Sequence, residues 1–484
     1  MIWFSLLLLG LLLYFIVQYS VVYVTQTPWW VLWAILMAPA VLMVGWVSAN
    51  GTEDPIPPPL VIGSFLMSSI LYVALVRLNP KRSASPSSEP QIKTMPEPQP
   101  LSLTKAEESQ LQTCFPWSTY FLQKIDYKPQ AIICRGQLKA QANAAYQTIR
   151  DNVRQQFGDR YLVIFQVGAQ NQPFFALVPD PQRNRKARQL TRPVLALGLL
   201  FATFITTTLA GAKLVMPELT WQSFTDLSVL RGGLPYAIAI MLILGIHESG
   251  HYLTARFYKI KATLPYFIPM PPPFSFGTFG AFIQMRSPVP NRTALFDIGL
   301  AGPLAGFVVT MPLLTWGLMH SSLTSIPTQP SLLDTNAFNP SISILFALIS
   351  KAAFPTELTM AQMIDLHPVA IAGWLGLIVT ALNLMPVGQL DGGHIVHAMF
   401  GHRNGAIIGQ VTRLLVLLLS FIQPLLLLWA IILLCLPAID EPALNDVSEL
   451  DNRRDLLGLV SLALLLLIIL PLPHSLAHLL FEMG

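Results

Sequence analysis

The stretch LPYAIAIMLILGIHESGHYLTARFY, residues 234–258, decides the reading of this chain. From Leu234 to Ile246 it carries no charge and reads as the body of a membrane-spanning helix, which runs directly into His247-Glu248-Ser249-Gly250-His251. Histidines at i and i+4 project from one helix face, so both imidazoles can reach a single metal ion. Glu248 lies beside them and need not be a ligand. It is free to take a proton from a water that zinc makes acidic near neutral pH. Two histidines and a glutamate are costly in an apolar helix without partners, and ionisable groups at membrane depth are functional by default.

Composition agrees with a membrane setting. Hydrophobic residues make up 53% of the 484 and charged residues 11%, too few charges for a soluble chain of this size. The expected fold is therefore an all-α polytopic membrane protein with about nine transmembrane helices. The candidate spans are Ile2 to Val24, Trp29 to Ala49, Leu60 to Val76, Pro193 to Val215, Leu234 to Ala255, Ala294 to Met319, Pro368 to Met385, Gly409 to Cys435 and Leu456 to Leu472. The first begins without a basic n-region and lacks a small-residue cleavage site, so it is expected to be a retained span. Cys114, Cys134 and Cys435 form no Cys-x-x-Cys pair, and neither a disulfide nor a thiolate metal site is expected. The net charge of +4 reflects loop residues and points to no nucleic-acid partner.

The longest polar stretch, about 79 to 192, has two parts. Asn79 to Leu101 is rich in Pro, Ser, Glu and Gln and reads as a flexible linker. Thr104 to Asp180 can fold, with a helix expected over Gln137 to Phe157 and strands over Arg160 to Val167 and Pro173 to Val178, a small α/β domain. Arg150, Arg154 and Arg160 read as a solvated face. Arg77, Lys81 and Arg82 precede this domain and Arg183, Arg185, Lys186, Arg188 and Arg192 follow it, which places it in the cytoplasm by the positive-inside rule. The helix carrying His247 then ends on the cytoplasmic side at Arg256, Lys259 and Lys261, about 8 to 12 Å from His251 by helical rise. The domain divisions that follow are 1–78 N-terminal transmembrane helices, 79–103 linker, 104–192 cytoplasmic domain, 193–402 intramembrane core and 403–484 C-terminal transmembrane helices.

Two histidines leave zinc short of a protein ligand, and Asp391 is the strongest further candidate. It lies in Asn383-Leu384-Met385-Pro386-Val387-Gly388-Gln389-Leu390-Asp391-Gly392-Gly393-His394, where Pro386 and the glycines interrupt a helix. Membranes tolerate such a break where it is buried in protein or lines a wet cavity.

These segments, with Gly277–Met285, Pro288–Arg292 and Asp297–Gly306, resemble the site-2 protease family of intramembrane zinc metalloproteases, peptidase family M50. Their wording is most similar to the plastid and cyanobacterial branch, which has an N-terminal soluble domain. The likeness is good from about Leu234 to His402 and rests on arrangement alone over the first 190 residues. It implies one zinc ion held by His247, His251 and Asp391, with Glu248 as general base. It also implies that Asn383 orients the substrate carbonyl or the attacking water, although a helix-to-helix hydrogen bond would serve that residue equally. His394, one turn past Asp391, is expected outside the ligand set.

Pro269, Pro271, Pro272 and Pro273 prohibit regular helix, and Gly277 to Met285 reads as a short strand pair with a tight turn. An exposed edge there can bind an unwound substrate by strand addition, resembling the family's re-entrant β-hairpin, or the segment is a loop that caps the core. Gly302 and Gly306 form a GxxxG pair suited to close helix packing. The resemblance implies cleavage of a transmembrane protein substrate within the lipid bilayer, in a cyanobacterial plasma or thylakoid membrane or a plastid membrane. A non-catalytic membrane chaperone of the same fold and a metal or solute transporter are the alternatives. The intact Glu248 and ligand set weaken the first, and the lack of paired interrupted segments weakens the second.

Overall fold

The computed structural model describes residue 10, 27–50, scattered positions from 57 to 75, 103–168, 172–180, 192–216, 226–270, 276–325 and 337–482 apart from 357, 360–361, 421–425 and 438–439. The expected span Ile2 to Val24 (all but residue 10), the linker Asn79 to Leu101 and the prolines at 271–273 lie outside the described residues. The chain divides into two compact units, Met1–Met95 and Pro96–Gly484.

In the first unit, α1 (Trp29–Asn50) is apolar throughout and carries Pro39 internally. Leu32 is its buried anchor, packed by Leu36, Tyr72 and Leu75, and Ser68 Oγ donates to the Ile35 carbonyl at 2.7 Å. A hydroxyl donating to a helix carbonyl satisfies both groups where water is scarce.

The second unit opens with an α/β domain, expected from the sequence to be the soluble one: α2 (Lys105–Thr113), β1 (Tyr120–Lys128), β2 (Ala131–Leu138), α3 (Ala142–Phe157), β3 (Tyr161–Val167) and β4 (Pro173–Pro179). The sheet is antiparallel in the order β1-β2-β4-β3. Ala145, Ile149 and Val153, four residues apart on α3, are buried with Tyr146, so one helix face meets the sheet. Phe165 stacks on Phe175 at 4.1 Å, and Tyr120 meets Phe175 edge-on at 5.0 Å. The helix expected from Gln137 starts instead at Ala142, because Gln137 and Leu138 pair with Phe121 and Tyr120 and end β2. Arg150, Arg154 and Arg160 pair with Asp151, Asp159 and Glu107 at the surface, as a solvated face should.

The core follows as α4 (Pro193–Val215), α5 (Leu227–Phe257), β5 (Tyr266–Pro269), β6 (Thr278–Phe282), α6 (Arg292–Met319), β7 (Ser322–Ser325), β8 (Ala337–Phe338), α7 (Ile344–Ala353), β9 (Gln362–Asp365), α8 (Pro368–Leu384) and α9 (Asp391–Phe400). The chain ends with α10 (His402–Leu419), α11 (Leu426–Cys435), α12 (Asn452–Ile469) and α13 (His474–Glu482). Among the described residues, α1, α4, α5 and α6 are long and apolar enough to cross a membrane, and α12 with α13, bent by 83°, makes up to five. Within the expected span Gly409 to Cys435 the described residues form α10 and α11, and residues 421–425 lie outside the described residues.

The expected strand pair within Gly277 to Met285 is corrected in its partner. That stretch supplies a single strand, β6, which pairs antiparallel with β5. Pro269 is tolerated because it closes β5 at a register shift. The hairpin is pinned to the helices: Tyr236 Oη on α5 donates to the Phe276 carbonyl at 2.9 Å, and Thr206 Oγ1 on α4 to that of Gly277 at 2.6 Å.

Helices α4 and α5 cross where neither has a side chain. A Cβ at Gly233 would fall 2.0 Å from the Thr208 carbonyl oxygen, and one at Gly211 would fall 2.5 Å from that of Gly233. Dispersion across such contacts holds apolar helices together when lipid competes equally for their side chains. Gly233→Val is expected to force the pair apart and cost about 1–3 kcal/mol. Thermal unfolding in detergent should show a lowered midpoint, and an unchanged midpoint would refute the tight crossing.

Candidate metal centre

On α5, the buried residues Tyr236, Ile240, Ile243, His247 and His251 follow one another at steps of about one helical turn, with Leu244 buried beside them. The two histidines thus continue the apolar stripe that already faces the neighbouring helices. Asn383 comes from the last turn of α8, after which Met385 leaves the helix with ψ 126°. Gly388 takes φ +52°, a left-handed conformation that suits glycine, and α9 restarts at Asp391. A Cβ at Gly392 would lie 2.0 Å from the Leu384 carbonyl oxygen, and one at Gly393 2.1 Å from that of Gly388. The glycines therefore let the chain fold back, so that the first residue of α9 returns beside the end of α8.

That return brings the carboxylate to the imidazoles. His247 Nε2 and His251 Nε2 are 3.2 Å apart, and Asp391 Oδ2 lies 3.6 Å from the first and 3.2 Å from the second. All three ligand atoms fall within 4.8 Å of one another. His251 Nδ1 donates to the Ile298 carbonyl at 2.8 Å, which leaves Nε2 of the neutral ring as an acceptor. Asn383 Nδ2 lies 3.1 Å from His247 Nε2, which places the amide beside the same nitrogen. Three acceptors aimed at one point repel one another unless a cation lies among them, and two imidazoles with a carboxylate form a donor set suited to zinc. The space for that point is cut into α6. A Cβ at Gly302 would sit 2.0 Å from His251 Nε2, and one at Gly306 3.0 Å from His247 Nδ1.

Glu248 is buried and opens with these residues onto a cavity of about 760 Å³. The wall opposite is the chain from Ala281 to Val289, and the Ile283 amide faces the Glu248 carboxylate. β6 pairs only with β5 among the described residues, and its Ala281 and Phe282 line the cavity. All five residues singled out in the sequence, His247, Glu248, His251, Asn383 and Asp391, therefore meet at one place.

His394 lines the same cavity, but its Nδ1 is bonded to Asp440 Oδ2 at 2.9 Å. His397 is held from both sides, Nδ1 by Asp440 at 2.7 Å and Nε2 by Asp446 at 2.9 Å. Burial alone would push the His397 pKa down, yet the two carboxylates hold it up at about 9, and burial of Asp440 is likewise overcome by His394 and His397, which hold it at about 2. Asp440, Asp446 and His397 were not singled out in the sequence. The two acids sit in a polar stretch where a solvated loop is the ordinary expectation.

Residues 235–427 match the family model described as Peptidase family M50, and residues 109–185 match one described as the EGY3 middle domain. The chain is 37% identical over 250 residues to probable zinc metalloprotease EGY1, chloroplastic, of Arabidopsis thaliana, covering 51% of this chain and 44% of that protein. It is 27% identical over 367 residues to probable zinc metalloprotease EGY2, chloroplastic, of the same plant, covering 75% and 64%. It is 26% identical over 289 residues to probable zinc metalloprotease EGY3, chloroplastic, of Oryza sativa subsp. indica, covering 57% and 47%. The chain thus spans about half the length of the first and third of these relatives and under two thirds of the second. No solved structure matches.

Gly302→Ala should abolish metal retention, because the added carbon occupies the place in front of His251 Nε2, whereas Gly306→Ala should keep part of it. Metal content of the purified variants separates the two, and full occupancy in Gly302→Ala would refute the cradle. A second expectation concerns pH. His397 has a folded pKa above its ordinary 6.5, so its ion pairs stabilise fully below that value and are lost as pH rises through about 9. The difference in Tm between the wild type and His397→Gln should shrink over that interval, and a constant difference would contradict the assignment.

Proposed function

We propose, because residues 235–427 match the family model of peptidase family M50, that this chain is an intramembrane zinc endopeptidase cutting a peptide bond within or near a transmembrane segment of another membrane protein. The observation that carries this reading is the convergence of His247, His251 and Asp391 beside Glu248, on a helix long and apolar enough to cross a bilayer.

His247, His251 and Asp391 would hold the zinc. When bound, zinc supplies a Lewis acid that polarises a carbonyl and makes water acidic near neutral pH. Glu248 takes a proton from the attacking water and passes it to the leaving amine, the general acid–base role for which its place in the cavity suits it. Asn383 orients the carbonyl or the water with its side-chain amide, beside His247. A helical substrate hides its carbonyls in backbone hydrogen bonds and must unwind before attack. The free edge of β6 can hold the unwound stretch by strand addition, and we read this hairpin as re-entrant.

The remaining apolar segments complete the reading of about nine spans, with N-terminal helices over 1–78, a linker over 79–103, the soluble domain over 104–192, the core over 193–402 and C-terminal helices over 403–484. Basic residues on both flanks of the soluble domain support its cytoplasmic placement, with the metal centre near the same face. Relatives named as chloroplastic support a plastid or cyanobacterial membrane as the setting.

Glu248→Gln should keep zinc and lose cleavage by about 10²–10⁴-fold, since the proton acceptor goes while the ligands stay. Asp391→Ala should lose both zinc and cleavage. Asn383→Ala should retain most zinc while cleavage falls. Zinc content and proteolysis in reconstituted protein measure all three, and near wild-type cleavage by Glu248→Gln would reject the assigned base.

A further inference from the structure

Helix α9 has ten residues and follows a broken stretch, so little of its position comes from its own helical stability. Side chains from elsewhere must hold it. At its far end Arg292 of α6 donates to the Ala398 carbonyl at 2.7 Å and to that of Met399 at 3.0 Å. On the cavity side its anchors are Asp440, bonded to His394 and His397, and Asp446, bonded to His397. Asp440 is buried, and its second oxygen accepts from the Glu441 amide at 2.7 Å.

Asp440 and Asp446 are held by the chain that follows Asp440 and, at the Asp440 carbonyl, by His402 Nε2 of α10 at 3.1 Å. The Leu444 amide donates to the Val289 carbonyl at 2.9 Å and the Asn445 amide to that of Pro290 at 3.0 Å, on the stretch that opens α6. On the other side the Phe165 amide donates to the Leu444 carbonyl at 2.7 Å, and the Asp446 amide to that of Phe165 at 2.9 Å. Phe165 belongs to β3, the edge strand of the soluble sheet. Leu444 and Val447 also pack against that domain's apolar core. Through isolated parallel bridges of Asn445 to Phe165 on one side and to Asn291 on the other, the segment ties the soluble domain to the wall of the metal cavity.

We propose that Asp440 is a positioning residue for the metal centre: through His394 and His397 it sets where α9 presents Asp391, and the soluble domain keeps Asp440 in place by clamping residues 444–447. The inference rests on the reading of Asp391 as a zinc ligand. Asp440 and Asp446 act on the ligand-bearing helix and touch no ligand, so their effect is on its placement.

The test uses the full chain, zinc-loaded in lipid nanodiscs, as wild type, Asp440→Asn, Leu444→Asp and the double variant. Zinc loss to excess EDTA and hydrogen exchange across 391–400 are followed together. Each single variant should speed zinc loss by about 10–100-fold, the range for removing a partner that orients metal ligands. Both should raise exchange in α9 while α5 and α6 stay protected, and Asp440→Glu should recover part of each effect. The double variant should match the larger single effect, because both changes cut one tie in series. Wild-type zinc loss and exchange in Asp440→Asn would overturn the proposal, and so would effects in the double variant that multiply. Should the wild type hold no zinc, the proposed peptidase reading fails, and the exchange measurements decide the tie by themselves.

Discussion

The backbone of α6 lies directly against the imidazoles of α5. A Cβ at Gly302 would overlap His251, one at Gly250 would come 2.5 Å from the Ala301 carbonyl oxygen, and the Ile298 carbonyl takes the ring proton of His251. This approach orients both rings and leaves their Nε2 atoms facing one point. It also blocks α6 from supplying a side chain there, and the carboxylate beside the rings, Asp391, comes from another direction. The residues at Gly302 and Gly306 thus do for the site what a hydrogen-bonding partner does for a single ligand: they remove every other orientation.

The other direction is a broken helix, whose freed backbone lies against protein and beside a cavity. Gly388, Gly392 and Gly393 allow α9 to return against α8, and the cavity beside it is lined by polar groups from four parts of the chain. A continuous helix would have carried Asp391 two turns beyond Asn383, away from His247. Breaking it places the amide and the carboxylate on the same pair of histidines.

The α/β domain is more closely tied to this arrangement than a domain on a flexible linker would be. Leu444 and Val447 complete its apolar core from a point more than 250 residues downstream of β4, and they bring Asp440 and Asp446 with them. Backbone hydrogen bonds on both sides of Asn445 are well suited to that task, because they fix register as well as contact.

Much of the site was legible because it is local. The spacing of His247 and His251 follows from helical geometry, and the apolar run before them fixes the helix. Asp391 stands out because a carboxylate next to a helix break in an apolar stretch has few cheap explanations. Strands β3 and β4 were legible as apolar runs between turns. β1 was not, since most of its residues are at least partly exposed and show no alternation to read. The partner of β6 depended on a pairing across residues 269–278, and sequence proximity suggested a nearer one. His394 and His397 reach Asp440 and Asp446 across 43 to 49 residues. No periodicity encodes a contact at that separation, because the distance between the groups is set by how the intervening helices pack. Local chemistry in the sequence determined which residues can bind and activate; only tertiary packing decided what holds them still.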